Sequence, residues 1–94
     1  MNVKEMLMDI PTDEQILERV RNVAAEILKV SCEDITPQAK FIDDLGADSL
    51  DNVTLLMSLE DEFDESISDE EAQELTTVGA TVAFIKRKVG EKKQ

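Results

Sequence analysis

Between Phe41 and Ile85 the chain places thirteen Asp or Glu and not one Lys or Arg, whereas Lys86, Arg87, Lys88, Lys92 and Lys93 crowd the C-terminal end. The middle of the molecule therefore presents a solvated acidic face, whose field of one sign points towards basic partners. With a formal charge of −12 overall, nucleic acid is excluded as a ligand, because phosphate binding needs a basic face. Three Phe, no Trp and no Tyr leave the core to Leu, Ile, Val, Met and Ala, which favours helices over a sandwich. Ninety-four residues with two Pro and three Gly fit one domain with a small core and a slim stability margin.

The chain has no histidine, and its one cysteine is Cys32. Ser-His-Asp and Cys-His catalysis, His-ligated zinc and an internal disulfide are all excluded together. Cys32 reads as a plain helix-flanking residue in a reducing compartment. The first ten residues hold no apolar run long enough for a signal peptide or a membrane span, so the expectation is a soluble, cytoplasmic monomer. Within them Val3, Met6, Leu7 and Ile10 recur at helical spacing before Pro11 closes the segment. That segment reads either as a frayed terminal turn or as an extra docking helix.

Thr12-Asp13-Glu14-Gln15 is a capping box opening the first helix. Ile16, Val20, Val23 and Ile27 form its stripe, widened by Leu17, Ala24 and Leu28, and the pattern breaks after Lys29. From Glu33 to Asp48 periodicity disappears, with Pro37 and Gly46 as punctuation. A connection of that length needs pins, expected at Ile35, Phe41, Ile42 and Leu45.

The second helix is expected from Asp48 or Ser49 to Phe63 or Asp64, with Asp48 and Asp51 at the positive end of its dipole. At about 100° per residue its apolar side chains separate into two groups. Leu55, Leu56, Leu59 and Phe63 lie on one side, and Leu50, Val53 and Met57 lie nearly opposite. A helix in a small bundle buries one such group against the core. The larger is assigned inward, leaving Leu50, Val53 and Met57 exposed beside Glu60, Asp61 and Asp64 as an interaction surface. The alternative is that a neighbouring loop covers them.

Ser68-Asp69-Glu70-Glu71 is a second capping box, starting a short helix to about Leu75 with Ile67 and Ala72 as a staple. Thr76 or Thr77 caps the last helix, whose stripe is Val78, Val82, Ile85 and Val89 with Phe84 beside it, and Gly90 is expected to stop it. The fold class is all-α: three longer helices, one short third helix, and a long loop between the first two.

Ser49 reads first as a helix N-cap or first-turn residue. As a hydrolytic nucleophile it lacks an activating base and a small-residue elbow. Asp43, Asp44, Asp48, Asp51 and the acids from Glu60 to Glu65 match no EF-hand spacing, so only weak, non-obligate divalent binding is expected.

Asp-Leu-Gly-Ala-Asp-Ser-Leu-Asp at 44 to 51, followed by Met57, Leu59-Glu60 and Glu62-Phe63-Asp64, resembles the acyl carrier proteins of dissociated fatty acid synthesis. The resemblance runs from Thr12 to Val89 and includes Phe41, the Asp69-Glu70-Glu71-Ala72 helix start and Thr76-Thr77-Val78-Gly79. It implies a four-helix carrier domain over 12–90, an N-terminal extension over 1–11 and a tail over 91–94. It also implies that Ser49 bears a 4'-phosphopantetheine arm transferred from coenzyme A, that Asp48 presents Ser49 to the phosphopantetheinyl transferase, and that the chain is a carrier and not an enzyme. Asp44, Leu50, Asp51, Val53, Met57, Glu60 and Asp61 would then meet the basic docking patches of acyltransferases, ketosynthases, reductases and dehydratases.

Three departures stand out: Thr54 where the family usually has an acid, Asn52 for a small hydroxyl residue, and Ser68 for a frequent proline. One missing charge at a rim costs on the order of a kcal/mol or less, so Thr54 bears on partner choice more than on modification. The alternatives are a specialised carrier for polyketide, lipid A or another acyl pathway, and, from a different class, an unmodified acidic helical adaptor or cation-binding protein.

Because the acidic middle repels itself, added salt or millimolar divalent cation is expected to raise the melting temperature. A flat response in a salt series followed by circular dichroism would show those acids to be compensated already.

Overall fold

The computed structural model describes residues 11–92. The stripe at Val3, Met6, Leu7 and Ile10 lies outside them. Thr12 caps α1 (Asp13–Leu28) through the expected reciprocal box, its Oγ1 accepting from the Gln15 amide while Gln15 Oε1 accepts from the Thr12 amide. Lys29 ends the helix in the left-handed region, φ 58°. A 3₁₀ turn (Cys32–Asp34) opens the long connection, followed by α2 (Ser49–Phe63), the short α3 (Asp69–Ala72) and α4 (Val78–Lys92). The architecture is all-α, with α1 packed against both α2 and α4.

The core forms where the apolar stripes converge. Ile16, Val20 and Ala24 of α1 are buried against Leu55, Leu59 and Phe63 of α2 and Val78, Val82, Ile85 and Val89 of α4. In α1 the assignment shifts by one position: Ala24, expected at the edge, is fully buried, while Val23 and Ile27 of the expected stripe are half-buried with Leu17 and Leu28, as is Leu56 of α2. Phe84 is also buried.

The long connection is held by the backbone as much as by side chains. The first amides of a helix have no intrahelical acceptor, and in α4 the loop supplies acceptors for two of them. Val78 donates to the Ala39 carbonyl (3.0 Å) and Gly79 to the Pro37 carbonyl (2.8 Å), while Ala80 donates to Thr77 Oγ1 (3.0 Å). An isolated antiparallel bridge, Lys40 to Thr77, continues the seam, with the Phe41 amide on the Thr76 carbonyl at 3.1 Å. Ile35, Phe41 and Leu45 are buried pins as expected, and Ala39 and Ala47 join them. Ile42 does not: it is 57% exposed, because Phe41 takes the inward position and the turn after it sends its neighbour outward.

Two helix ends differ from expectation. α3 stops at Ala72 and not near Leu75, the chain turning there so that Leu75 enters the core. α4 continues through Gly90 to Lys92; a single glycine costs a helix only about 1 kcal/mol, and φ at Gly90 is not positive. Ser68 Oγ caps α3, and Lys88 Nζ reaches Glu71 Oε2 at 3.1 Å. The Ser68 amide first, then Lys88, hold the Glu71 carboxyl below its usual range. A depressed carboxyl contributes stability above its unfolded value and loses it as pH falls through the folded one, so acid weakens the hold on α3.

Gly79 separates two opposing effects. Alanine gains about 1 kcal/mol in helix propensity, but a Cβ there would sit 2.9 Å from the Pro37 carbonyl oxygen, a backbone atom that must then move. Overpacking of this kind costs about 1–3 kcal/mol and here also disturbs a capping hydrogen bond. Gly79→Ala is therefore expected to lower the melting temperature, whereas Gly90→Ala, with nothing within 4 Å of its Cβ, raises it. Paired thermal melts check both signs.

Candidate functional site

The turn before α2 is a chain of short-range hydrogen bonds. The Lys40 carbonyl accepts from the amides of Asp44 and Leu45, both at 3.0 Å, the Ile42 carbonyl from Gly46 at 3.1 Å, and the Phe41 carbonyl from Ala47 at 2.9 Å. Asp44 Oδ2 closes it from the side, accepting from the Lys40 amide at 2.8 Å. Gly46 sits at φ 76°, a conformation that disfavours side chains, and Leu45 and Ala47 on either side are buried. The chain thus reaches Asp48 with its direction already fixed.

Asp48 is the N-cap. Its Oδ1 accepts from the Asp51 amide at 2.8 Å while Asp51 Oδ2 accepts from the Asp48 amide at 3.3 Å. This is a capping box built from two aspartates, and it adds a reciprocal pair of hydrogen bonds to the dipole compensation expected of their charges. Ser49 is consequently the first residue inside the helix and not its cap. It is exposed, and among the described residues no hydrogen bond engages its side chain. The cap is satisfied without it, and its hydroxyl is left at the positive end of a fifteen-residue helix, where an anionic substituent is favoured. A phosphate-linked group fits this position: the oxygen is accessible, and attachment displaces no partner. The chain's lack of histidine leaves Ser49 without an imidazole base.

From Ser49 the exposed face of α2 runs along Leu50, Val53 and Met57, which are 73%, 53% and 61% exposed. Among the described residues no loop covers them. Ile42 gives the loop before α2 an exposed apolar side chain of its own, which periodicity could not reveal because it lies outside any helix. Thr54 is also exposed, and Asn52 is half-buried.

The acids around the stripe are not equivalent. Asp61 is exposed, whereas half-buried Glu60 accepts from the Ile67 amide at 2.8 Å and fixes the chain after the helix. Asp44 and Asp51 also have structural duties, as described above. Among the described residues no group of three or more acids or cysteines is arranged to hold a metal ion, and no helix is long and apolar enough to cross a membrane. A hollow of about 180 Å³ opens beside the turn, between Phe41, Ile42, Asn52 and Leu75.

Comparison with known proteins gives this geometry a family. Residues 18–85 match the family described as a phosphopantetheine attachment site. A curated relative named acyl carrier protein, from Phenylobacterium zucineum (strain HLK1), is 52% identical over 75 residues, covering 80% of this chain and 95% of the relative. With an exposed serine opening α2 and an uncovered face beside it, the chain belongs to the acyl carrier proteins, which hold acyl groups on a phosphopantetheine arm and are carriers and not enzymes.

Proposed function

We propose that the arm is attached at Ser49 and that the chain carries intermediates of fatty acid biosynthesis between cytoplasmic enzymes that dock on α2. The single observation that carries the site is Ser49 itself: the first residue of α2, exposed, with its hydroxyl outside every hydrogen bond of the cap. When bound, the arm supplies a terminal thiol that holds acyl groups as thioesters. Asp48 fixes the serine's position through the cap, and as the exposed residue directly before Ser49 it would present the hydroxyl to the phosphopantetheinyl transferase.

Leu50, Val53 and Met57 form the apolar centre of the docking face, with Asp61 its freest acid and Asp44, Asp51 and Glu60 adding charge from fixed positions. Acyltransferases, ketosynthases, reductases and dehydratases would meet it with basic patches. Exposed charge gives fast encounter and modest affinity, suited to a carrier that must leave after each step. Covalent attachment keeps the intermediate at high effective concentration for each partner. The hollow beside Phe41 and Leu75 is where an acyl chain would begin to part the aliphatic core.

Incubation with coenzyme A, magnesium and a broad-specificity phosphopantetheinyl transferase is expected to add one phosphopantetheine by intact mass, and none to Ser49→Ala. Addition that survives the substitution would move the site elsewhere. Mass analysis of the groups on the arm of protein taken from cells tests the pathway: a ladder of saturated, 3-hydroxy and enoyl chains is expected, and a polyketide or one long hydroxyacyl species would assign a specialised carrier.

For the docking face, Met57→Arg and Asp61→Lys are expected to lower kcat/KM of a partner enzyme by roughly tenfold, about 1.4 kcal/mol, with helicity unchanged. Asp61 is the cleaner charge probe, since reversal at Glu60 also breaks its bond to Ile67. Unaltered kinetics in both variants would remove α2 from the docking surface.

A further inference from the structure

The antiparallel bridge between Lys40 and Thr77 takes its hydrogen bonds from the neighbours of both residues. Phe41 donates to the Thr76 carbonyl at 3.1 Å and Val78 to the Ala39 carbonyl at 3.0 Å. The backbone groups of Lys40 itself are therefore left for the turn that follows. Its carbonyl accepts from the Asp44 and Leu45 amides, both at 3.0 Å, and its amide donates to Asp44 Oδ2 at 2.8 Å. Lys40 is where the seam to α4 and the turn before Ser49 join. Among the described residues, the bond to Asp44 is the one hydrogen bond that a side chain contributes to the turn from 40 to 47.

We infer that Asp44 is a positioning residue for Ser49: its acceptor oxygen closes the turn against the α4 seam, so that Ala47, Asp48 and Ser49 leave the loop in one direction. The inference rests on Ser49 as the attachment point, and the task is separate from the charge Asp44 lends the docking face. Gly46, two residues on, sits at φ 76° with nothing within 4 Å of where a Cβ would be, so no side chain of its own restrains it. Buried Leu45 and Ala47 set how deep the turn lies in the core, and the Asp44 tie sets how tightly it closes. Water could satisfy the exposed Lys40 amide if the carboxylate were removed, but water would not tether residue 44 to residue 40. Asp43 supplies the contrast. It is exposed and carries the same charge one residue earlier, yet among the described residues its side chain makes no hydrogen bond or ion pair.

An acceptor and a bare charge respond differently to amidation, because an asparagine oxygen still accepts. With coenzyme A, magnesium and a phosphopantetheinyl transferase, Asp44→Ala is expected to lower kcat of transfer roughly tenfold, the scale of a reacting group held less well in place. Circular dichroism should show helicity unchanged. Asp44→Asn is expected to restore most of that kcat, and Asp43→Ala to leave it at the wild-type value. The kcat deficit should persist from about 0.1 to about 0.5 M salt, whereas a rise in KM caused by lost charge fades as exposed charges are screened. Amide exchange at Lys40 should quicken in Asp44→Ala and not in Asp44→Asn, with the Ala47 and Ser49 resonances shifting in the alanine variant alone. A kcat for Asp44→Asn as low as for Asp44→Ala would overturn the proposal, and so would an Asp44→Ala deficit confined to KM or unchanged Lys40 exchange in that variant. Modification that survives Ser49→Ala would strike the attachment reading instead, and Lys40 exchange would still report whether Asp44 holds the turn.

Discussion

Two carbonyls, those of Pro37 and Ala39, hold this molecule's working parts in register. By accepting from the Gly79 and Val78 amides they satisfy the N-terminal end of α4 and anchor the middle of the long connection. Phe41 and Leu45 then enter the core, the turn closes on the Lys40, Phe41 and Ile42 carbonyls, and the chain arrives at Asp48 already aimed. The position of Ser49 at the surface thus rests on the far end of another helix. A change at Gly79 reaches the site only through this seam.

Three cations join helices to one another. Arg19 of α1 pairs with Glu62 of α2 at 2.9 Å, donates to the Glu62 carbonyl at 2.7 Å, and lies 4.4 Å from the centre of the Phe63 ring. Lys86 ties α4 to α1, and Lys88 ties α4 to α3. Each contact is partly exposed and worth little alone, yet the arrangement has a consequence for charge. Among the described residues Asp61 takes part in none of these pairs, so its charge stays available beside the exposed Leu50, Val53 and Met57.

Elements governed by side-chain period were legible in the sequence. The stripes of α1, α2 and α4, the boxes at Thr12 and Ser68, and the exposure of Leu50, Val53 and Met57 all follow from the 3.6-residue repeat and from short-range capping chemistry. What escaped was set by the backbone or by tertiary context. The bond from Gly79 to Pro37 uses no side chain at all. Ile42 looks like a pin because it is apolar and follows Phe41, and only the turn's hydrogen bonds decide which of the two faces inward. Gly90 carries a stop signal that the helix overrides. Glu60 reads as a surface acid, whereas its carboxylate serves the Ile67 amide across seven residues.

The two-aspartate cap has a further consequence. Asp48 and Asp51 satisfy one another's amides and leave the Ser49 oxygen outside the ledger of bonds that keep α2 wound. Derivatising that oxygen takes no hydrogen bond from the fold, and releasing it gives none back. An arm carried there, as proposed, would leave every hydrogen bond of the cap in place, so that its phosphate would couple to the fold only through the positive end of α2.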